Sequence, residues 1–341
     1  MKTKIFSLAL AVLFISSTSY AKIWRINNNG GVNANFTTAQ AAVSSSLVLN
    51  GDTLYFEGST SSYGNIYILN KSLTLVGPGY ALNNWTSAVQ ANLFSATIGS
   101  ITNITAANVK LVGLEFTGEV SLSASNFTME RCNMTNYYFY LPSSTNVTNV
   151  IFKQNILYNL YENGSSAITN LLITNNLILT GLSFTGANEN GVIEFNTFGL
   201  INCGIDLGQS FFSLRNNILI GSAGNTITGL SNSNVEYNMA HQSNLLPANN
   251  NNQNGVNMNG STVFVNNNWG TSQNDKNYML SATSPARTAG AGGTPIGAYA
   301  GTTPYLPSGI PAIPTIYQLS MPSAITTGST INVTFSSKSN N

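Results

Sequence analysis

The sequence predicts an all-β protein wound as a right-handed parallel β-helix, with about 21 residues and three short strands per coil and a helical cap at its N-terminal end. Three observations carry that prediction. An asparagine stands three places after a core-type hydrophobe in Phe152 to Asn155, Ile173 to Asn176, Ile193 to Asn196, Leu214 to Asn217 and Val235 to Asn238, at steps of 21, 20, 21 and 21 residues. The segments between these asparagines are rich in β-branched and aromatic residues. Charged side chains make up 7% of the chain, so Asn, Ser, Thr and Gly have to provide the polar surface, where an ordinary globular protein uses roughly 25% charged residues.

Residues 1–21 read as a signal peptide: Lys2 and Lys4, a short apolar run from Ile5 to Ile15, and Ser19-Tyr20-Ala21 ending in small-residue cleavage style. That run is too short to span a bilayer and no later stretch reaches 18 apolar residues, so the sequence predicts an exported chain with no transmembrane segment. Thr37 to Val43 suits one or two helical turns that cover the open end of the stack. Gly51-Asp52-Thr53 turns into a strand, followed by strands at Ile66 to Leu69 and within Lys71 to Gly79. Asn83 to Ala91 reads as a loop leaving the coil. From Val109 each coil offers a first strand (VKLV, FTME, VIFK, LLIT, VIEF, FSLR, VEY), a tight turn and a second strand (ILY, LIL, TFG, ILI). The asparagines Asn155, Asn176, Asn196, Asn217 and Asn238 are assigned to that turn, because Asn tolerates a left-handed backbone and can exchange amide hydrogen bonds from coil to coil. Gly204 to Gly208 is the clearest third strand, with Leu182 to Phe184 and Ile227-Thr228 as neighbours. The run Ala248 to Gly255 reads as a protruding loop after which Val265 to Asn268 resumes the spacing. The β-helix is thus expected over 22–301, with a Pro-rich linker and a short hairpin or cap over 302–341.

Charge and cysteine content exclude several functions. Without Lys2 and Lys4, ten basic groups face eleven acidic ones. No basic stripe exists for phosphates, so nucleic acid is not an expected partner, and a neutral polysaccharide or cell-surface glycan suits the surface better than an acidic polymer. Cys132 takes the ladder column one coil before Asn155, and Cys203 lies three coils further on. At about 4.8 Å per coil they stand about 14 Å apart along the axis, beyond the roughly 7 Å reach of a disulfide. Two buried, unbridged thiols are expected. No His/Cys/Asp spacing predicts a metal site and no glycine loop predicts a phosphate site, so no cofactor is implied. His241, the only histidine, reads as a loop residue. Two places before the ladder, Glu130, Lys153, Thr174, Glu194, Arg215 and Glu236 form an outward column. Its alternating signs suit a register-fixing charge ladder; the competing reading makes it a ligand stripe with Lys153 and Arg215 at work.

The Gly51-Asp52-Thr53 turn, Lys71 to Gly79, the asparagine ladder and the closing stretch Ser284 to Tyr299 together resemble the pectin-lyase-like superfamily over residues 23 to 300. In that superfamily the resemblance implies a cleft along one parallel sheet, here the third strand. Tyr138, Tyr140, Tyr161, Glu162, Ser183, Asp206 and Thr228 are assigned to it, the tyrosines to stack on sugar rings. Glu162 and Asp206, two coils or about 9.6 Å apart by stacking, are the candidate acid and base, near the roughly 6.5–9.5 Å of inverting glycosidases. The aspartate cluster of calcium-dependent pectate lyases is missing. So are the Asn-Thr-Asp, Asp-Asp, Gly-His and Arg-Ile-Lys motifs of polygalacturonases. The expected protein is therefore a non-catalytic surface, adhesive or carbohydrate-binding β-helix, with a polysaccharide lyase or glycoside hydrolase acting along the Tyr138/Glu162/Asp206 face as the alternative.

Overall fold

The computed structural model describes residues 21–84, 90–162, 164–199, 201, 203–221, 226–259, 261–266, 275–322, 324 and 327–340. Residues 1–20 of the segment read as a signal peptide, most of the loop between Asn83 and Ala91, and Asn268 lie outside the described residues. The chain winds as a parallel β-solenoid. First strands of successive coils form a ten-stranded parallel sheet from Ile23–Ile26 to Asn234–Glu236, and second and third strands form a thirteen-stranded one. The only antiparallel pair among the named strands is the C-terminal hairpin Thr315–Ser320 with Thr334–Lys338. In three central coils the second and third strands are one bent strand, as in Asn133–Tyr140, Ile156–Tyr161 and Leu177–Ser183. Further along they separate, as Thr197–Phe198 and Gly204–Asp206.

Inward residues repeat once per coil. Met129, Phe152, Ile173, Ile193, Leu214 and Val235 from the first strand meet Met134, Leu157, Ile178, Phe198, Leu219 and Ala240 from the second. The helix Ala39–Ser44, with Thr38 capping its start, lays Ala39, Ala42 and Val43 against this core and closes the stack, as expected.

The ladder asparagines stack, but the left-handed turn residue sits one place earlier than the sequence reading put it. Arg131, Gln154, Asn175, Phe195, Asn216 and Tyr237 carry φ between 53° and 57°. That position turns the corner, and each following Asn aims its amide inward. Asn196 Oδ1 accepts from Asn176 N at 2.9 Å, while Asn196 Nδ2 donates to Ile173 O at 2.8 Å and to Asn217 Oδ1 at 3.0 Å. The same pattern runs from Asn155 to Asn238. Ladder side chains thus pair backbone groups that the corner leaves without sheet partners.

The asparagine-rich run is also more than a protruding loop. Asn251 has φ 59° and Asn252 Oδ1 accepts from Asn238 N at 3.1 Å, while Asn252 Nδ2 donates to Val235 O at 2.8 Å. Gln253 bridges Met239 in parallel. Asn252 is the last rung of the ladder, reached after 14 residues instead of 21. A second asparagine series stands at the start of the first strands, where Asn149 Nδ2 donates to Asn126 Oδ1 at 2.8 Å and Asn170 Nδ2 to Asn149 Oδ1.

The outward face of the second strands is apolar and covered. Ile156, Leu177, Leu179, Ile218 and Met239 belong to a second core with Tyr80, Tyr278, Ile296 and Tyr305. The C-terminal segment supplying that cover runs back along the corner, coil by coil. Gly297 N donates to Asn216 O at 2.9 Å, Ala298 N to Thr197 Oγ1 at 3.1 Å, and Asn175 Nδ2 to Ala298 O and Ala300 O at 2.9 and 2.7 Å. Gln154 Nε2 then reaches Pro304 O at 2.6 Å and Arg131 Nη1 reaches Ile310 O at 2.9 Å. Beneath the strap, Tyr80 and Tyr305 hydroxyls meet at 2.7 Å, and Asp275 Oδ2 accepts from Tyr305 Oη and Ser308 N. The turn position thus has two tasks, the left-handed backbone and the anchoring of the strap. Asn175→Gly keeps the first and removes the second. Its expected loss is about 1–3 kcal/mol for the three hydrogen bonds to the strap, the third donated by Thr303 Oγ1, with faster cleavage near Thr302 to Leu306 in limited proteolysis; unchanged cleavage would mean the strap is held elsewhere.

Cys132 and Cys203 are both buried and not bridged, as the coil arithmetic required, and burial pushes each thiol up to about 12. The outward column also pairs as expected. Glu130 registers with Lys153, Thr174 with Glu194 and Glu194 with Arg215, and Arg215 Nε meets Glu194 Oε2 at 2.8 Å. Burial alone would raise Glu130, but the hydrogen bond and charge of Lys110, with Lys153 and Arg131, hold it below the usual carboxylate range. This column fixes register and leaves Lys153 and Arg215 engaged with carboxylates.

Candidate functional site

With the second-strand face covered by the strap, the third-strand face is left to the solvent. Alternation along each strand puts every second residue on it, and the parallel register stacks those residues. Ser121 pairs with Tyr140, Tyr140 with Tyr161, Tyr161 with Ser183, Ser183 with Asp206 and Asp206 with Thr228. The sequence reading had named Tyr140, Tyr161, Ser183, Asp206 and Thr228 for this face; Ser121 is added by the register.

The tyrosines form one cluster. Tyr138 stacks on Tyr140 with ring centroids 5.9 Å apart and planes at 22°, and meets Tyr161 edge-on at 6.0 Å. Tyr140 and Tyr161 stand 6.1 Å apart at 85°. Tyr158 joins at 5.3 Å from Tyr138; it was not anticipated, although Tyr158-Asn-Leu-Tyr161 spells it out. Tyr138 is 36% exposed and Tyr137 equally so, while Tyr140, Tyr158 and Tyr161 are half-buried. Tyr138 is thus open, Tyr140 and Tyr161 are partly so, and Tyr158 packs against the second core beneath the strap. Tyr140 Oη donates to Glu119 Oε1 at 3.1 Å; desolvation and then that carboxylate raise its phenol above the ordinary tyrosine value.

Glu162 is not on this face. It follows Tyr161 by one residue, so period-two alternation turns it inward, and its side chain is fully buried. Its Oε2 accepts from Thr185 N at 2.7 Å and Gly186 N at 2.8 Å, and its Oε1 from Ser166 Oγ at 3.0 Å. Nearby lies Glu189, also fully buried, whose Oε2 accepts from Ser210 Oγ at 2.8 Å and whose Oε1 finds no donor. Burial first, then the charge of Glu162, pushes Glu189 up to about 8. Asp206 does lie on the open face, but its Oδ1 accepts from Thr228 Oγ1 at 2.7 Å and from Gly208 N at 3.1 Å, as in a turn. The two carboxyls proposed as acid and base thus sit on opposite sides of the sheet and do not border one cleft.

His241 Nδ1 lies 2.9 Å from Val256 O and 3.3 Å from Met258 N, donating to the first when protonated or accepting from the second when not, and so packs against its own loop. Among the described residues no group of three His, Cys, Asp or Glu side chains is arranged to hold a metal ion, and no helix is long and apolar enough to cross a membrane. No protein-family model matches the chain, and no curated protein or solved structure shows significant similarity to it.

Proposed function

We propose that this protein is an exported, non-catalytic β-helix of the pectin-lyase-like kind that binds a neutral polysaccharide or cell-surface glycan on its third-strand face. The observation that carries the reading is the cluster of Tyr138, Tyr140 and Tyr161 on the solvent face. Aromatic rings offer flat apolar faces to the C–H surfaces of sugars while their hydroxyls bond at the edge. Exposed rings on strands of a rigid solenoid also lose little entropy on binding. The leader-like residues 1–21 and the low charge support export and a neutral partner. A hydrolytic mechanism lacks its pair, because Glu162 is inside and Asp206 is occupied by its own turn.

The test is calorimetry of mature protein against a panel of polysaccharides, with reducing-end and unsaturated-product assays in parallel. Tyr138→Ala with Tyr161→Ala is expected to weaken binding at least about tenfold, or about 1.4 kcal/mol, without changing far-UV circular dichroism. Binding indifferent to both substitutions, or none to any glycan, overturns the assignment. Turnover lost in Asp206→Asn would restore the enzyme.

A further inference from the structure

We propose that the groove on the N-terminal side of Tyr140 is a recognition subsite for one neutral sugar unit, so that the bound glycan lies parallel to the solenoid axis with this groove at one end of its track. The inference rests on the reading of the tyrosine face as a glycan platform and adds its direction, its anchoring point and its selectivity.

The third strands preceding Tyr140 are Ile101–Ile104 and Val120–Leu122. Their inward residues Ile101, Ile104, Val120 and Leu122 fill the core. Their outward residues are small and polar, so the surface drops in front of the tyrosine cluster. Thr102, Asn103, Ser121, Ser123 and Ser143, with the Tyr140 ring, enclose a groove of about 310 Å³ over buried Leu122 and Leu141. That volume lies at the lower end of the roughly 300–1,000 Å³ of small-molecule sites.

Its chemistry matches a polyol. The Tyr140 ring, the hydroxyls of Thr102, Ser121, Ser123 and Ser143, the Asn103 amide, and no charged side chain in the lining suit a ring with C–H faces and hydroxyl edges. Asn103 Oδ1 is buried and has no hydrogen-bond partner. A buried acceptor left open is an unfavourable arrangement; having no accessible surface as placed, it meets a sugar hydroxyl only when the Asn103 side chain turns toward the groove. Glu119 stands at the rim through its bond with Tyr140 Oη. A carboxylate there disfavours uronic or sulfated units by like-charge repulsion.

Direction follows from the register. Tyr140 belongs both to the groove and to the aromatic cluster, and it pairs with Ser121 on one side and Tyr161 on the other. Beyond Tyr161 the column continues through Ser183, Asp206 and Thr228, one residue per coil at about 4.8 Å. A glycan crossing groove and tyrosines therefore spans several coils along the axis, and affinity should rise with chain length before levelling off.

The experiment compares cello-, manno- and laminarihexaose and their shorter oligomers with trigalacturonate, by calorimetry on the mature protein. Variants are Ser121→Leu and Thr102→Leu, which fill the groove from different coils, and Tyr161→Ala; melting curves confirm that each folds. The expected result is that a neutral hexamer binds, that it weakens about tenfold or more in all three variants, that shorter oligomers bind progressively less well, and that trigalacturonate does not bind. If Tyr161→Ala weakens the hexamer but both groove variants bind it normally, the subsite is overturned while the platform stands. If trigalacturonate binds as well as the neutral hexamer, the selectivity is overturned. If no oligomer binds, the platform itself falls and the subsite with it.

Discussion

Asn196→Leu should be among the most damaging single substitutions in this chain. Leucine has similar volume, so the loss comes from hydrogen bonds. Asn196 Oδ1 serves Asn176 N and Asn176 Nδ2, and its Nδ2 serves Ile173 O, Glu194 O and Asn217 Oδ1. Most of these partners are buried and have no water to turn to. With about 1–3 kcal/mol for each buried group left unpaired, the expected cost is on the order of 4–6 kcal/mol, a large part of the roughly 5–15 kcal/mol that holds a domain together. A solenoid couples nearest neighbours, so amide exchange should accelerate first in the coils of Asn176 and Asn217. Lys153→Ala is the comparison: its side chain is one-third exposed in the outward column and should cost less than about 1 kcal/mol. Equal costs in urea unfolding for the two variants would show that the ladder does not carry this load.

The ladder was legible because it repeats locally, and what repeats along a sequence can be counted. Its misplaced turn came from the same habit. Asparagine is the residue expected at a left-handed turn, yet that turn is occupied by Arg131, Gln154, Phe195 and Tyr237 as readily as by Asn175 and Asn216. The strap and the sheet hold those positions, so tertiary context overrides preference. A trace of the strap itself was present. Leu177-Ile178-Leu179 and Ile218-Leu219-Ile220 are apolar on both alternating sides, which marks a strand buried on both faces. The covering segment, however, lies about a hundred residues away in sequence, as Ala298 on Thr197 shows, and no local pattern announces its partner.

The candidate site divides along the same line. Tyr138, Tyr140, Tyr161 and Asp206 follow from alternation and register, which the sequence displays. Glu162 was misplaced against that rule, since neighbours in a strand cannot share a face. Gly181 shows why the face flattens beyond the tyrosines: a Cβ there would collide with Gly204 O of the next coil. The partnership of Glu162 and Glu189 was invisible, because the chain between them passes around a whole corner.

That buried pair makes stability depend on pH in a direction opposite to the usual carboxylate. Glu189 is raised from 4.5 to about 8, by burial first and by the charge of Glu162 next, while the Ser210 hydrogen bond pulls the other way. The remaining groups facing the pair are neutral, the Thr185 and Gly186 amides and the Ser166 hydroxyl. Below about pH 4.5 folded and unfolded chains both hold the Glu189 proton and its contribution is fully present. Between 4.5 and 8 the unfolded chain releases that proton and the folded one keeps it, so stability falls as pH rises, at up to about 1.4 kcal/mol per pH unit. Above about 8 the folded state ionises too, and the decline levels off. Glu189→Gln keeps the shape and the Ser210 contact without a titrating proton. Its melting temperature, measured from pH 4 to 9, should fall less than the wild type's, and the difference between the two curves should grow through pH 4.5 to 8. Asp275, raised by burial, contributes a slope of the same sign that the substitution leaves in place, which is why the difference curve decides. Parallel curves for the two proteins would mean that Glu189 is already ionised at neutral pH and that a cation or water sits where the proton is placed.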